Sequence, residues 1–268
     1  MSQETIGLIA GNRDLPFLFS RQAKKSGFRV VAAAFKEEAS PALAREVDAI
    51  EFITLGQLGK LLDFFKKQGV RRAVMQGQIK HKMIYAKVKP DWRAALLLLK
   101  IKKFSTEGIL GTVADELQRH GVMLQKASWL MEPYLAGAGI LGRVKPSKAV
   151  LKDLEYGAML AKGVGALDIG QTVCVKRLSC VAVESIEGTD ACALRAAKLA
   201  GPGLVLVKRA RPKQDLRFDL PVVGPKTFQV LAKIKAAAIG LETGKTLILD
   251  KEACLKIADR AGICVYSN

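Results

Sequence analysis

Ile6-Gly7-Leu8-Ile9-Ala10, closed by Gly11-Asn12, is the stretch on which the reading of the fold turns. Five apolar residues bounded by a Gly-Asn turn read as a buried strand, too short for a buried helix. Pro16 suits the first turn of a helix that runs to about Lys25 and stops at Gly27. The alternation then repeats. Residues 29–35 and 50–55 read as buried strands, 58–67 as an amphipathic helix ended by Gly69, and 72–76 as a strand closed by Gly77. Strands alternating with helices predict a parallel sheet covered on both faces, and a Rossmann-like half is the economical arrangement.

Residues 80–103 interrupt this order. They are rich in lysine, hold Tyr85 and Trp92, and include the run Leu96-Leu97-Leu98-Leu99. A helix over 108–120 and a strand over 122–126 follow. Gly137-Ala138-Gly139 and Pro146 form a small-residue stretch that marks a domain boundary. The expected organisation is a Rossmann-like domain over 1–136 and an α/β domain over 137–268. In the second, a helix over 148–162 precedes two strands joined at Leu178-Ser179 within 171–184. Thr189 or Asp190 caps a helix through Leu199. Strands are predicted at 204–208, 246–249 and 263–266, with helices at 227–238 and 251–261.

Half of the 268 residues are hydrophobic but only 6% are aromatic, so the core must be built from Ala, Val, Leu and Ile. The formal charge of +18 attracts nucleic acid, phosphorylated substrates or an anionic membrane without choosing among them, and solubility alone also explains it. Five cysteines, an odd count without a CxxC pair, suggest reduced, buried thiols in a cytosolic protein. No signal-peptide pattern opens the chain and no stretch approaches the roughly 18 apolar residues of a membrane span, so the expected membrane contact is peripheral.

Four segments hold candidate chemistry. Gly11-Asn12-Arg13-Asp14-Leu15-Pro16 leads a strand into a helix start, where backbone N–H groups meet phosphate, although an ordinary βα turn has the same residues. It is neither GxGxxG nor a Walker loop, which leaves NAD and ATP roles unsupported. The loop from Arg211 to Pro225 is dense in polar groups: Asp215 and Asp219 could ligate Mg²⁺, and Arg217 and Lys213 could hold phosphate oxygens. A surface loop with local ion pairs is the alternative. In Glu184-Ser185-Ile186-Glu187-Gly188-Thr189-Asp190, the Gly188-Thr189 amides can meet an anion and Glu187 or Asp190 could join a metal shell; capping explains the same pattern. Asp168-Ile169-Gly170-Gln171 is weak alone. With two histidines, His81 and His120, and no Ser/His/Asp pattern, the chemistry rests on carboxylates, cations, amides and a metal, which favours phosphoryl transfer. Lys87, Lys89, Arg93, Lys100, Lys102 and Lys103 around Trp92 and the leucines suit an anionic membrane surface or an acyl chain; a core helix with a basic edge is the alternative.

Taken together, the opening Ile6-Gly7-Leu8-Ile9-Ala10-Gly11-Asn12 with Leu15-Pro16, Gly77, Asp168-Ile169-Gly170-Gln171, Val183 to Asp190 with Arg195, Leu206-Val207-Lys208, and above all Pro212-Lys213-Gln214-Asp215-Leu216-Arg217-Phe218-Asp219-Leu220-Pro221 with Gly224-Pro225 and Thr227 resemble the LpxI family over nearly the whole chain. The resemblance implies two domains with substrate held between them. It implies Mg²⁺-dependent hydrolysis of UDP-2,3-diacylglucosamine to 2,3-diacylglucosamine 1-phosphate (lipid X) and UMP, a step of lipid A biosynthesis at the cytosolic face, with water attacking the phosphorus nearer the sugar. It implies an essential aspartate, carried here to Asp219 with Asp215 as the other candidate. Asp219, Asp215 and Arg217 are the expected catalytic residues, and Asp219, Asp215, Glu187 and Asp190 the expected metal shell. Gly11, Asn12, Gly77, Gln171, Gly188, Thr189, Lys208, Lys213, Gln214 and Thr227 are the expected substrate contacts. Where relatives often show paired acids, this chain has Ser105-Thr106-Glu107. A cytoplasmic enzyme, peripheral on the inner membrane and without nucleic acid, is the expectation. A basic nucleic-acid-binding protein, or a nucleotide-sugar-binding regulator without catalysis, are the alternatives.

Overall fold

The computed structural model describes residues 3–78, 90–99, 106–212 and 215–268. The chain forms two compact units, Met1–Met131 with Asp215–Phe218, and Glu132–Gln214 with Asp219–Asn268. In the first, β1 (Thr5–Ala10), β2 (Arg29–Phe35), β3 (Ala49–Ile53), β4 (Arg72–Gln76) and β5 (Met123–Leu124) make a parallel sheet in the order β3-β2-β1-β4-β5. The helices are α1 (Leu15–Lys25), α2 (Leu58–Lys67), α3 (Trp92–Leu98) and α4 (Thr106–Arg119). α1 packs on β1, β2 and β4. The other helices supply Leu61, Phe65, Leu97 and Leu117 to a cluster with Ile9, Val31, Ala33 and Ala73, which explains strands that are apolar throughout. Strand order reverses at β1, and such a reversal opens a crevice at the carboxyl ends of β1 and β4.

Residues 215–218 return to this unit from far along the chain. The Leu216 carbonyl accepts the Ala127 N–H at 2.8 Å, and Phe218 packs against the cluster that holds Phe65. No local pattern in the sequence announces this excursion.

The second unit carries β6 (Gly139–Ile140), α5 (Lys148–Ala166), β7 (Thr172–Lys176), β8 (Ser179–Val183), α6 (Thr189–Ala200), β9 (Val205–Lys208), β10 (Val222–Val223), α7 (Pro225–Lys233), β11 (Ala238–Leu241), β12 (Leu247–Ile248), α8 (Lys251–Arg260) and β13 (Cys264–Ser267). Its main sheet runs β6-β13-β11-β9-β7-β8, with β9, β11 and β13 parallel and the remaining pairings antiparallel; β10 and β12 pair separately. Leu154 and Ala161 of α5 pack on Val173, Val205 and Val207, while α6, α7 and α8 build the second cluster around Leu206, Phe228, Leu231 and Ile239.

Three expectations are corrected here. The helix predicted to 238 stops at Lys233, and Ala238 opens a strand. Alanine favours helix, but β9 and β13 lie on either side of this segment, and Gly240 gives Leu154 room that a Cβ would fill at 2.8 Å. The β7–β8 turn uses Arg177 and Leu178, both with positive φ (50° and 57°). The Asp153 carboxylate holds it by accepting both their amides at 2.9 and 2.7 Å, so no glycine is needed. Lastly, Cys174, Cys192, Cys254 and Cys264 are buried free thiols, whereas Cys180 is exposed.

Candidate functional site

Lys208 ends β9 with its residue only 6% exposed, paired across the sheet with the fully buried Thr172. Glu184 follows β8, and its N–H donates to the Thr172 carbonyl at 2.9 Å. These three residues meet the start of α6. Lys208 Nζ donates to Thr189 Oγ1 at 2.8 Å, and Thr189 Oγ1 donates to Glu184 Oε1 at 3.0 Å. With its hydroxyl so engaged, Thr189 caps nothing. Asp190 does not cap either, because its Oδ1 accepts from Thr227 Oγ1 at 2.8 Å. The residue before the helix is Gly188, at φ +83°, and α6 has no side-chain cap, which corrects the predicted Thr189 or Asp190 cap. α7 likewise starts behind Gly224 without a side-chain cap. The Asp190–Thr227 bond therefore ties together two helix starts that carry no side-chain cap. Each helix start carries about half a positive charge, and with a buried ammonium alongside, the arrangement suits phosphate or diphosphate.

In the first unit, Gly11 and Gly77 sit at the carboxyl ends of β1 and β4. Gly11 N donates to the Gln76 carbonyl at 2.8 Å and Asn12 N to that of Gln78 at 3.0 Å. A Cβ on Gly11 would lie 2.7 Å from the Gln78 carbonyl oxygen. Asn12 Nδ2 donates to Glu38 Oε2 at 2.7 Å, and Asn12 Oδ1 is shielded without a hydrogen-bond partner among the described residues.

Asp215, Glu187 and Asp190, three of the carboxylates expected to hold metal, have partners of their own. Arg217 Nη2 donates to Asp215 Oδ2 at 2.7 Å, and Arg217 Nε and backbone N donate to Oδ1, both at 3.0 Å. The Arg217 guanidinium holds the Asp215 carboxyl below its usual range and is itself pushed up by that carboxylate. Glu187 accepts from Arg195 at 2.5 Å, which lowers its proton affinity in the same way. Asp190 faces Thr227 and, at 3.8 Å, Lys226. Asp219 is exposed. Among the described residues no three Asp, Glu, His or Cys side chains gather as a metal site, so the predicted four-carboxylate shell is not assembled. One exposed carboxylate still fits Mg²⁺, which keeps waters and commonly binds through one or two carboxylates and substrate phosphates.

The LpxI N-terminal domain family matches residues 5–134, and the LpxI C-terminal domain family matches 137–266. The chain belongs to the LpxI family. The UDP-2,3-diacylglucosamine pyrophosphatase LpxI of Caulobacter vibrioides is 30% identical over 271 residues, covering 97% of this chain and 96% of its own. Among solved structures, the precorrin-6A reductase CobK is similar at 12% identity and a TM-score of 0.34, over 99% of this chain and 87% of that one. Rhizobium etli pyruvate carboxylase is similar at 12% identity and a TM-score of 0.31, over 65% of this chain and 15% of that one. This chain thus spans a small part of the carboxylase.

In this LpxI-family chain the structure gathers Gly188, Thr189, Lys208 and Thr227 from the predicted contacts, and adds Thr172 and Glu184. Glu184 stood in a legible acidic run, but nothing local marked it as buried; Thr172 read only as a strand residue. Gln171 has a shielded Oε1 without a partner among the described residues, and its carbonyl accepts the N–H of Arg209, just past β9, at 2.9 Å. Lys213 and Gln214 lie outside the described residues, as do His81, Tyr85, Lys87, Lys89, Lys100, Lys102, Lys103, Ser105 and the side chains of Thr106 and Glu107.

Proposed function

We propose that this chain hydrolyses the diphosphate of UDP-2,3-diacylglucosamine with Mg²⁺, releasing UMP and 2,3-diacylglucosamine 1-phosphate in lipid A biosynthesis. The observation that carries the reading is the Asp190–Thr227 tie between two uncapped helix starts beside buried Lys208, a cradle for a diphosphate. Lys208 and the N–H groups in the first turns of α6 and α7 (in α7 those after Pro225) hold phosphate oxygens and neutralise charge as the bond to the leaving nucleotide breaks. Asp219, at an exposed position, would hold the Mg²⁺ or orient the attacking water. Bound Mg²⁺ supplies charge neutralisation at the phosphorus under attack.

The reading includes peripheral attachment at the cytoplasmic face of the inner membrane. No helix among the described residues is long and apolar enough to cross a membrane. Trp92 and Leu96 of α3 and Leu99 just beyond it are exposed at helical spacing, while Ala94 and Leu97 are buried. An apolar stripe on a chain of charge +18 favours an anionic lipid surface.

Turnover tests the proposal. Purified chain is mixed with UDP-2,3-diacylglucosamine in detergent, with Mg²⁺ or EDTA, beside Asp219→Ala. Metal-dependent release of UMP, lost in the variant, is the expected result. Cleavage that survives Asp219→Ala removes that residue from the site, and a folded chain that cleaves nothing removes the hydrolase reading.

A further inference from the structure

Glu184 is a buried charge that the proposed hydrolysis does not use. Its residue is 7% exposed, and its Oε2 is shielded without a hydrogen-bond partner among the described residues. Its other oxygen accepts from the hydroxyl of Thr189, the first residue of the 12-residue α6, which puts the carboxylate beside the uncapped start of that helix. A buried carboxylate oxygen that lacks a donor is costly. Lys208, one hydroxyl away through Thr189, offsets the charge but supplies no bond to Oε2. A bare phosphate at this helix start would satisfy the amides and Lys208 and be repelled by Glu184. A ligand that carries a hydroxyl donor a few bonds from its phosphate satisfies both.

We propose that Glu184 is a ribose-binding residue: its free oxygen accepts a hydroxyl of a nucleoside monophosphate unit whose phosphate lies on the α6 start and Lys208. The inference rests on the acylated UDP-sugar reading. In that substrate the 2 and 3 positions of the glucosamine carry acyl chains, which leaves it the hydroxyls at positions 4 and 6, while the ribose offers a 2′,3′ vicinal diol. Acceptance of ribose hydroxyls by a carboxylate close to a phosphate-binding helix start is a recurrent solution in nucleotide sites.

The test is equilibrium binding to the full chain, by calorimetry and without turnover, of UMP, 2′,3′-dideoxy-UMP and N-acetylglucosamine 1-phosphate. The wild type is expected to bind UMP about tenfold more tightly than its dideoxy form, the scale of one hydrogen bond to a charged acceptor. Glu184→Gln is expected to erase that gap, and Lys208→Met to weaken both ligands together. Equal binding of UMP and dideoxy-UMP by the wild type, or no binding of either, overturns the assignment without recourse to any variant. Tighter binding of the sugar phosphate than of UMP, lost in Glu184→Gln, overturns it in favour of a hexose hydroxyl. Turnover of the acylated UDP-sugar is followed in parallel. Cleavage without ribose discrimination sinks this assignment alone; ribose discrimination without cleavage sinks the hydrolase reading alone.

Discussion

Gly77 turns at φ +87° against the carbonyl oxygen of Asn12, and a Cβ on residue 77 would overlap that oxygen. Both groups are backbone, so neither can rotate aside. Gly77→Ala is expected to destabilise the chain by about 2–3 kcal/mol, combining a strained φ with the overlap. Gly27→Ala is the control: φ is +84°, but nothing lies within 4 Å of the added Cβ. Its expected cost is about 1 kcal/mol. Denaturant unfolding of the two variants compares them, and equal costs would mean that the close approach of the two turns contributes nothing.

The Asp215–Arg217 pair predicts a pH dependence of defined sign. Arg217 lowers the folded-state proton affinity of Asp215, so the unfolded chain binds that proton more tightly. The pair contributes stability above the unfolded value of about 3.9, lost as pH falls through the lower folded value. Asp215→Asn is expected to melt below wild type at pH 7, with the gap closing toward pH 3. Both side chains are about a third exposed (36% and 32%), which limits the gap to about 1 kcal/mol. A gap unchanged down to pH 3 would show that the charge of Asp215 is not what the fold uses.

Lys208 and Glu184 compensate each other through Thr189. Lys208→Met leaves a buried carboxylate without its cation and is expected to cost about 3 kcal/mol. Adding Glu184→Gln to the same chain is expected to recover most of that loss. Thermal unfolding of the two single variants and the double variant measures the coupling, and strictly additive losses would refute it.

Asp219 and Asp215 separate by their surroundings. Asp219→Ala, at an exposed position, is expected to lower kcat at least about 100-fold in a chain that still folds. Loss of stability matching the loss of rate would assign Asp219 to the fold instead.

The cysteines differ in reach. Burial pushes the Cys254 thiol up to about 12, and the hydrogen bond with Cys192 together with burial raises Cys174. A thiol reagent at pH 8 is expected to modify Cys180 alone in the native chain and all five cysteines after denaturation. Rapid modification of a second native thiol would show that one of the buried sites opens.

The sequence by itself determined what depends on neighbours in the chain. The apolar run 6–10 with its glycine turn needs only its own residues to be a buried strand, and α2 and β4 begin and end where local periodicity places them. Alternating strands and helices likewise carry the α/β class, and motif order along the chain carries the family. What only the tertiary structure decided is which side chains meet. Ala238 is helical by propensity and a strand because β9 and β13 flank it. Thr189 and Asp190 are capping residues by type, yet their side chains are drawn away to Lys208, Glu184 and Thr227. Asp215 and Asp219 are four positions apart in one polar loop, but Phe218 finds apolar cover in the first unit, so the two aspartates fall in different compact units. Local energies select helix, strand and turn, whereas a buried carboxylate is matched to its ammonium only when the folded sheet brings β7, β8 and β9 side by side.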